Sequence, residues 1–298
     1  MTYKTKIAIA ITIFLWASGF VGIRAGLQGY SPEGLALFRY LIASVCMAII
    51  YYRMPSRNTV RTVDALALMG VGAIGIGVYN ITLNYGELTV SSGMASFITS
   101  QAPIITTILA IIFLGERANK FRILGFLISI AGVALIAMGE NGGLTLDTSI
   151  LYILIATLAA GLYSVLQKPF LKRYHAIEVT TYIIWGATLF LSIYTKQLQY
   201  DLMHATLNTT LTVVYLGIFP AAIAYLAWSY VLAQIPASRA VSFLYFMPFV
   251  ATLLGWLCLD EVPILMSVIG GLLAISGVWI VNQSYRWVSV SIPEKVQA

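Results

Sequence analysis

Thr99, Ser100 and Gln101 stand together in an otherwise apolar stretch, just ahead of Pro103. Ser92, Ser96 and Ser100 recur at every fourth residue and so share one face of a helix. Hydroxyl and amide groups in this setting suit hydrogen bonding: to one another, to a neighbouring helix, or to a solute in a wet cavity. Ser92 and Ser96 are expected to pack helices closely. Thr99, Ser100 and Gln101 are expected to face a cavity, because they lie near the middle of the run. Pro103 frees the carbonyl of Thr99 and permits a bend there, and Pro248 is the corresponding expected kink later in the chain.

A second polar group, Asn80 and Asn84, interrupts the preceding apolar run. The chain repeats itself at an offset of 145 residues, and the repeat replaces polar residues by aromatic ones. Asn80 is matched by Tyr225, Leu83 by Trp228, Ser100 by Tyr245 and Gln101 by Phe246. One wall of a central cavity is then polar and the other aromatic. Trp16, Tyr79 and Tyr163 complete the candidate substrate-binding set with Arg39, Asn80, Asn84, Thr99, Ser100, Gln101, Tyr225, Trp228 and Tyr245. Such a cavity suits a small amphipathic solute, for example an amino acid with an apolar side chain.

Arg39 is the basic residue that no loop accommodates. Two roles are open to it. It lies near enough to a span end to snorkel to the interface; or it binds a substrate carboxylate or a moving acid, with Glu33 and Glu87 as nearby partners. Glu116 and Glu261 end apolar runs and are expected to fix helix ends or pair with neighbours such as Arg117. The glycines of the third run (Gly70, Gly72, Gly75, Gly77) are expected to let helices approach closely.

Other chemistries lack their residues. There is no G-x-x-x-x-G-K-[ST] phosphate loop and no metal-ligand cluster, and His175 and His204 fall in predicted loops. No cofactor is expected. Acids are confined to run ends and loops, which argues against a membrane-embedded enzyme. Cys46 and Cys258 both sit in apolar runs and read as small buried hydrophobes, with no disulfide expected.

The elements that must position these residues are membrane spans. Of 298 residues 60% are hydrophobic and 9% charged, with mean hydropathy +0.89, whereas a soluble chain carries about 25% charged residues. Ten apolar segments follow one another: Ile7–Ile23, Gly34–Tyr52, Asp64–Leu83, Ser92–Leu114, Phe121–Met138, Ser149–Leu166, Glu178–Tyr194, Thr210–Leu232, Ser238–Leu259 and Ile264–Asn282. Their length suits helices crossing a hydrocarbon core of about 30 Å. The longest polar interval, Thr195 to Asn208, is predicted to be a loop. Lys4 and Lys6 ahead of an apolar run also begin a signal peptide. The run is long for one, however, and Ala17–Phe20 resembles Ala159–Leu162, so it is kept as a span.

The 145-residue offset lays Leu66–Val133 on Leu211–Val278 without a gap, with Gly72 on Gly217, Pro103 on Pro248 and Glu116 on Glu261. Lys and Arg crowd one side of the predicted spans, which places both termini in the cytoplasm. Only Arg24 and Lys196 fall in loops on the other side. Five spans per copy then require the second copy to be inverted. The expected fold is an all-α integral membrane protein of ten transmembrane helices in two inverted five-helix repeats. The repeats are 1–139 and 149–283, joined by an outer loop at 140–148 and followed by a cytoplasmic tail at 284–298.

Trp16–Phe20, Phe38–Ala43, Pro103 with Phe113–Arg117, and Pro248 with Leu259–Glu261 together resemble the drug/metabolite transporter superfamily, in its EamA-type branch. The resemblance covers nearly the whole chain. It implies a secondary transporter in the inner membrane that exports amino acids, other metabolites or toxic compounds; some such proteins import. The expected partners are a small-molecule substrate and the lipid bilayer, with no role for nucleic acid. Proton coupling and facilitated diffusion both remain open, as do monomer and dimer. The leading expectation is outward movement of small organic metabolites by alternating access; a channel or lipid-translocating protein is the rival.

Overall fold

The computed structural model describes residues 1–56, 59–114, 120–141 and 148–260, then 265–266, 268–273, 276–277 and 279–280. The expected roles of Glu116, Arg117 and Glu261, the loop at 142–147 and the tail at 284–298 lie outside the described residues. All regular structure among the described residues is helical. The helices are α1 (Tyr3–Gly26), α2 (Pro32–Tyr52), α3 (Thr62–Gly86), α4 (Ser92–Thr99), α5 (Ala102–Leu114), α6 (Lys120–Asn141), α7 (Thr148–Leu166), α8 (Ala176–Leu191), α9 (Thr195–His204), α10 (Leu207–Gln234), α11 (Ala237–Ser242) and α12 (Met247–Leu259).

Helix starts follow local chemistry. Ser31, Ser91 and Thr206 each accept a hydrogen bond on the side-chain oxygen from a backbone N–H of the first turn, and Pro32 occupies the first turn of α2. Glu178 accepts from the backbone N–H of His175, at 2.9 Å. Cations close two helix ends. Arg24 donates to the carbonyls of Glu87 (2.6 Å) and Leu88 (3.1 Å) beyond α3, and Lys168 donates to those of Leu232 and Ile235 at the end of α10. The offset of 145 carries Glu87 onto Leu232.

Seven described helical stretches are long and apolar enough to cross a bilayer: Tyr3–Gly26, Pro32–Tyr52, Thr62–Gly86, Thr148–Lys172, Ala176–His204, Leu207–Gln234 and Ala237–Leu259. The predicted fourth span is two shorter helices, α4 and α5. The fifth falls on α6, whose apolar portion is Ile123–Gly132, and the described residues of the tenth (265–266, 268–273, 276–277 and 279–280) are helical. Phe14, Val45, Ile49, Ile112, Phe113 and Leu189 are exposed on the outer surface. That much apolar exposure is suited to hydrocarbon surroundings.

Thr195–His204, predicted as a loop, is a helix. Asp201 on it is buried and does local work: its Oδ2 accepts from the backbone N–H (3.0 Å) and Oγ (2.6 Å) of Ser31, at the start of α2. The carboxylate thus meets the positive end of α2, a tertiary contact that no local pattern announces. Asp201→Ala is expected to cost about 1–2 kcal/mol, the range for a lost helix cap. A thermal unfolding midpoint equal to wild type in detergent would refute that.

The first and second halves interleave. α2 and the first turns of α3 pack on α8, the last turns of α3 pack on α7, and α1 packs on α10 and α12. Exchanging the halves at the 145-residue offset keeps this pattern: α2 also packs on the start of α10, and α7 on α4 and α5. Irregular turns follow the same offset. A π-helical segment, Ala73–Val78, interrupts α3, and another, Phe219–Ile223, interrupts α10. The break between α4 and α5 at Ser100 and Gln101 is matched by the 3-10 segment Phe243–Phe246 before α12.

Candidate functional site

A cavity lies among the irregular turns: Gly75, Ser100 and Leu244 line it, and so does Tyr225, two residues beyond the second π segment. A π turn breaks the usual backbone ladder and leaves carbonyls for side chains. The carbonyl of Ile76 accepts from Asn80 Nδ2 at 2.8 Å, and that of Pro220 accepts from Trp16 Nε1 at 3.2 Å. Trp16 is thereby held against the second half, with its ring 5.1 Å from Tyr225 and 5.4 Å from Trp228 between centroids. Tyr163 joins from α7, 5.4 Å from Tyr225 in an edge-on arrangement. These spacings are those of favourable aromatic pairs.

Pro103 and Pro248 each fall in the first turn of the helix that follows a break, α5 and α12 respectively. A first-turn proline costs the helix no hydrogen bond. The break turns Thr99 and Ser100 to the cavity. Their hydroxyls donate to local carbonyls, Thr99 to Ala95 (2.9 Å) and Ser100 to Phe97 (2.6 Å). The oxygen lone pairs stay available to accept from a guest.

Arg39 is 3% exposed and lines the cavity. The snorkelling role is therefore corrected: the side chain turns into the protein instead of reaching out to the interface. Its Nη1 donates to Asn80 Oδ1 at 2.9 Å, and Asn80 Nδ2 donates to Tyr40 Oη at 2.9 Å. Glu33 and Glu87 are not its partners. Glu33 accepts from Tyr85 Oη, and neither acid lines the cavity. Among the described residues no acidic side chain pairs with Arg39, and its buried Nε has no acceptor.

The structure thus brings Trp16, Arg39, Tyr79, Thr99, Ser100, Tyr163 and Tyr225 onto one cavity wall, with Asn80 directly behind Arg39. Four other expected residues stand off the wall. Asn84 donates to the carbonyl of Pro32 at 2.8 Å, Trp228 packs behind Trp16, and Tyr245 packs against Phe126. Gln101 does not reach the cavity. Sequence reasoning missed Gly19, Ser164, Leu244 and Met247 among the lining residues. Gly19 lies within the Trp16–Phe20 motif, the one available signal; the others look like ordinary span residues.

Comparison with known proteins gives one answer. The model of the EamA-like transporter family matches twice, over residues 4–138 and 147–283. The uncharacterized transporter YdfC of Bacillus subtilis (strain 168) is 39% identical over 93% of this chain and 90% of its own. A probable terminal-alkyne amino-acid exporter of Streptantibioticus cattleyicolor is 36% identical over 94% of each chain. A solved crystal structure, 17% identical, superposes with a TM-score of 0.74 over 97% of this chain and 99% of its own, and so shares the fold. With two family matches that span nearly its whole length, the chain belongs to the EamA-like transporter family and is a multi-pass membrane transporter.

Proposed function

We propose that the protein is a carrier of ten transmembrane helices that moves a small organic metabolite, foremost an amino acid with an apolar side chain, outward across the inner membrane. Two inverted five-helix halves rock about the cavity, with both termini in the cytoplasm. The observation that carries this reading is the cavity itself: both halves build it, and it joins hydroxyls and a cation to aromatic faces. The constant offset of the irregular turns and the interleaved packing support the inverted arrangement. The name of the 36%-identical relative supports amino acids and export. Trp16, Arg39, Tyr79, Thr99, Ser100, Tyr163 and Tyr225 are the proposed contacts. Asn80 is the positioning residue for Arg39.

Counterflow in proteoliposomes preloaded with unlabelled amino acids tests this. Wild-type protein is expected to accumulate one labelled amino acid saturably. Ser100→Trp fills the cavity from its wall and is expected to reduce that rate at least about tenfold while the protein remains monodisperse. Flux without saturation would mean a channel instead. Counterflow unaffected by Ser100→Trp would place the path elsewhere.

A further inference from the structure

We propose that the cavity selects its solute by a carboxylate, with Arg39 as the anion anchor, and accepts carboxylates in preference to amines of the same shape. The proposal rests on the reading above for the cavity as the solute's site, and it names the chemical class that site takes.

Among the described residues Arg39 is the one charged side chain on the cavity wall. Its hydrogen-bonding partner, Asn80, is neutral, and no described acid pairs with it. A buried guanidinium without a counter-ion is costly, and an entering anion removes that cost. Part of its donor fork is uncommitted. Nε is buried and has no acceptor, and Nη2 lies 4.0 Å from the place a Cβ on Gly19, beside Pro220, would occupy, so glycine keeps a side chain off it. A planar fork with free donors matches a carboxylate and holds it by charge-assisted bonds.

The same wall treats an ammonium group differently. Its described residues present no carboxylate, and a second cation near Arg39 would be repelled. What it offers are the oxygens of Thr99 and Ser100, whose protons already go to backbone carbonyls, so that they accept from a guest. An amino acid can therefore bind with its carboxylate on Arg39 and its ammonium on hydroxyl oxygens. The ammonium is tolerated; the carboxylate is required. Trp16, Phe20 and Met247 face the apolar remainder.

Three ligands of one shape separate these requirements: leucine, its deaminated acid 4-methylpentanoate, and its decarboxylated amine 3-methylbutylamine. Each is titrated against the full-length purified protein, and binding is read as a rise in unfolding temperature. Leucine and 4-methylpentanoate are expected to stabilise wild type, and the amine to bind about tenfold more weakly or worse. Arg39→Gln is expected to abolish the advantage of the acid. Arg39→Lys keeps the charge and is expected to preserve the order at lower affinity. Equal binding of acid and amine overturns the proposal, as does no stabilisation by any of the three, or undiminished acid binding by Arg39→Gln. Should Arg39→Gln not fold, wild type and Arg39→Lys decide. Acid binding that obeys this order without counterflow of any amino acid would overturn the carrier reading and leave the anion anchor standing.

Discussion

Gly72→Ala and Gly186→Ala are each expected to abolish the folded protein, while Gly70→Ala, two residues from the first, leaves it intact. α3 and α8 cross where both carry glycine. A Cβ on Gly72 would lie 1.8 Å from the carbonyl oxygen of Ile183, and one on Gly186 would lie 2.2 Å from that of Met69. Both obstacles are backbone, so no rotamer change relieves them and the helices must separate. Separation would also disturb the π segment that begins at Ala73, where Asn80 finds its carbonyl. The expected cost exceeds about 3 kcal/mol, the upper end for overpacking. Gly70 is the control: a Cβ there meets nothing within 4 Å, and alanine is the better helix former by about 1 kcal/mol. The measurement is the monodisperse fraction after detergent extraction, with the unfolding midpoint of whatever survives. Gly72→Ala at wild-type yield would refute the close crossing.

Asn80→Leu is expected to produce the second-largest loss, in stability and transport together. Asn80 connects three groups: it accepts from Arg39 and donates to Tyr40 Oη and to the carbonyl of Ile76. Leucine is of similar size but fills none of these roles. Arg39 would remain buried with no hydrogen-bonding partner, and the loss of a hydrogen bond to a charged group costs about 1.5–3 kcal/mol. Asn84→Leu, one turn later, removes a single bond to the carbonyl of Pro32 and is expected to cost about 1 kcal/mol. The contrast between the two is the measurement, read from unfolding midpoints in one detergent. If Asn80→Leu were no worse than Asn84→Leu, the guanidinium would have support other than Asn80.

Apart from Gly186, which the sequence did not mark, both predictions turn on residues that stood out for different reasons. Arg39 stood out because a cation inside an apolar run is anomalous wherever it points. The glycines of the third run stood out as packing residues, but which of them permit a backbone crossing was not legible. Gly70 and Gly72 look alike in one dimension, and only the position of α8 separates them. Thr99, Ser100, Tyr163 and Tyr225 were legible as candidates for a cavity. The absence of Tyr245 and Gln101 from its wall was not: a helix break rotates the residues around it by an amount that local sequence does not state. Ser100 and Tyr245 occupy matching positions at the 145-residue offset, yet one faces the cavity and the other packs on Phe126.

What the sequence by itself determined was the solvent and the period. A chain so apolar, with its few charges gathered between runs, must satisfy its backbone internally, and in hydrocarbon a helix does so within each run. The recurrence of glycine, proline and carboxylate at a constant offset made the two halves visible without coordinates. The tertiary structure decided where those helices deviate and what fills the openings. The donor on the π segment of α10, the helix that carries Asp201 to the start of α2, and the inward turn of Arg39 all depend on groups more than forty residues distant. A run of apolar residues is helical for local reasons. A carbonyl at such a turn takes a side-chain donor from one turn along, as Ile76 does from Asn80, or from the other half of the chain, as Pro220 does from Trp16.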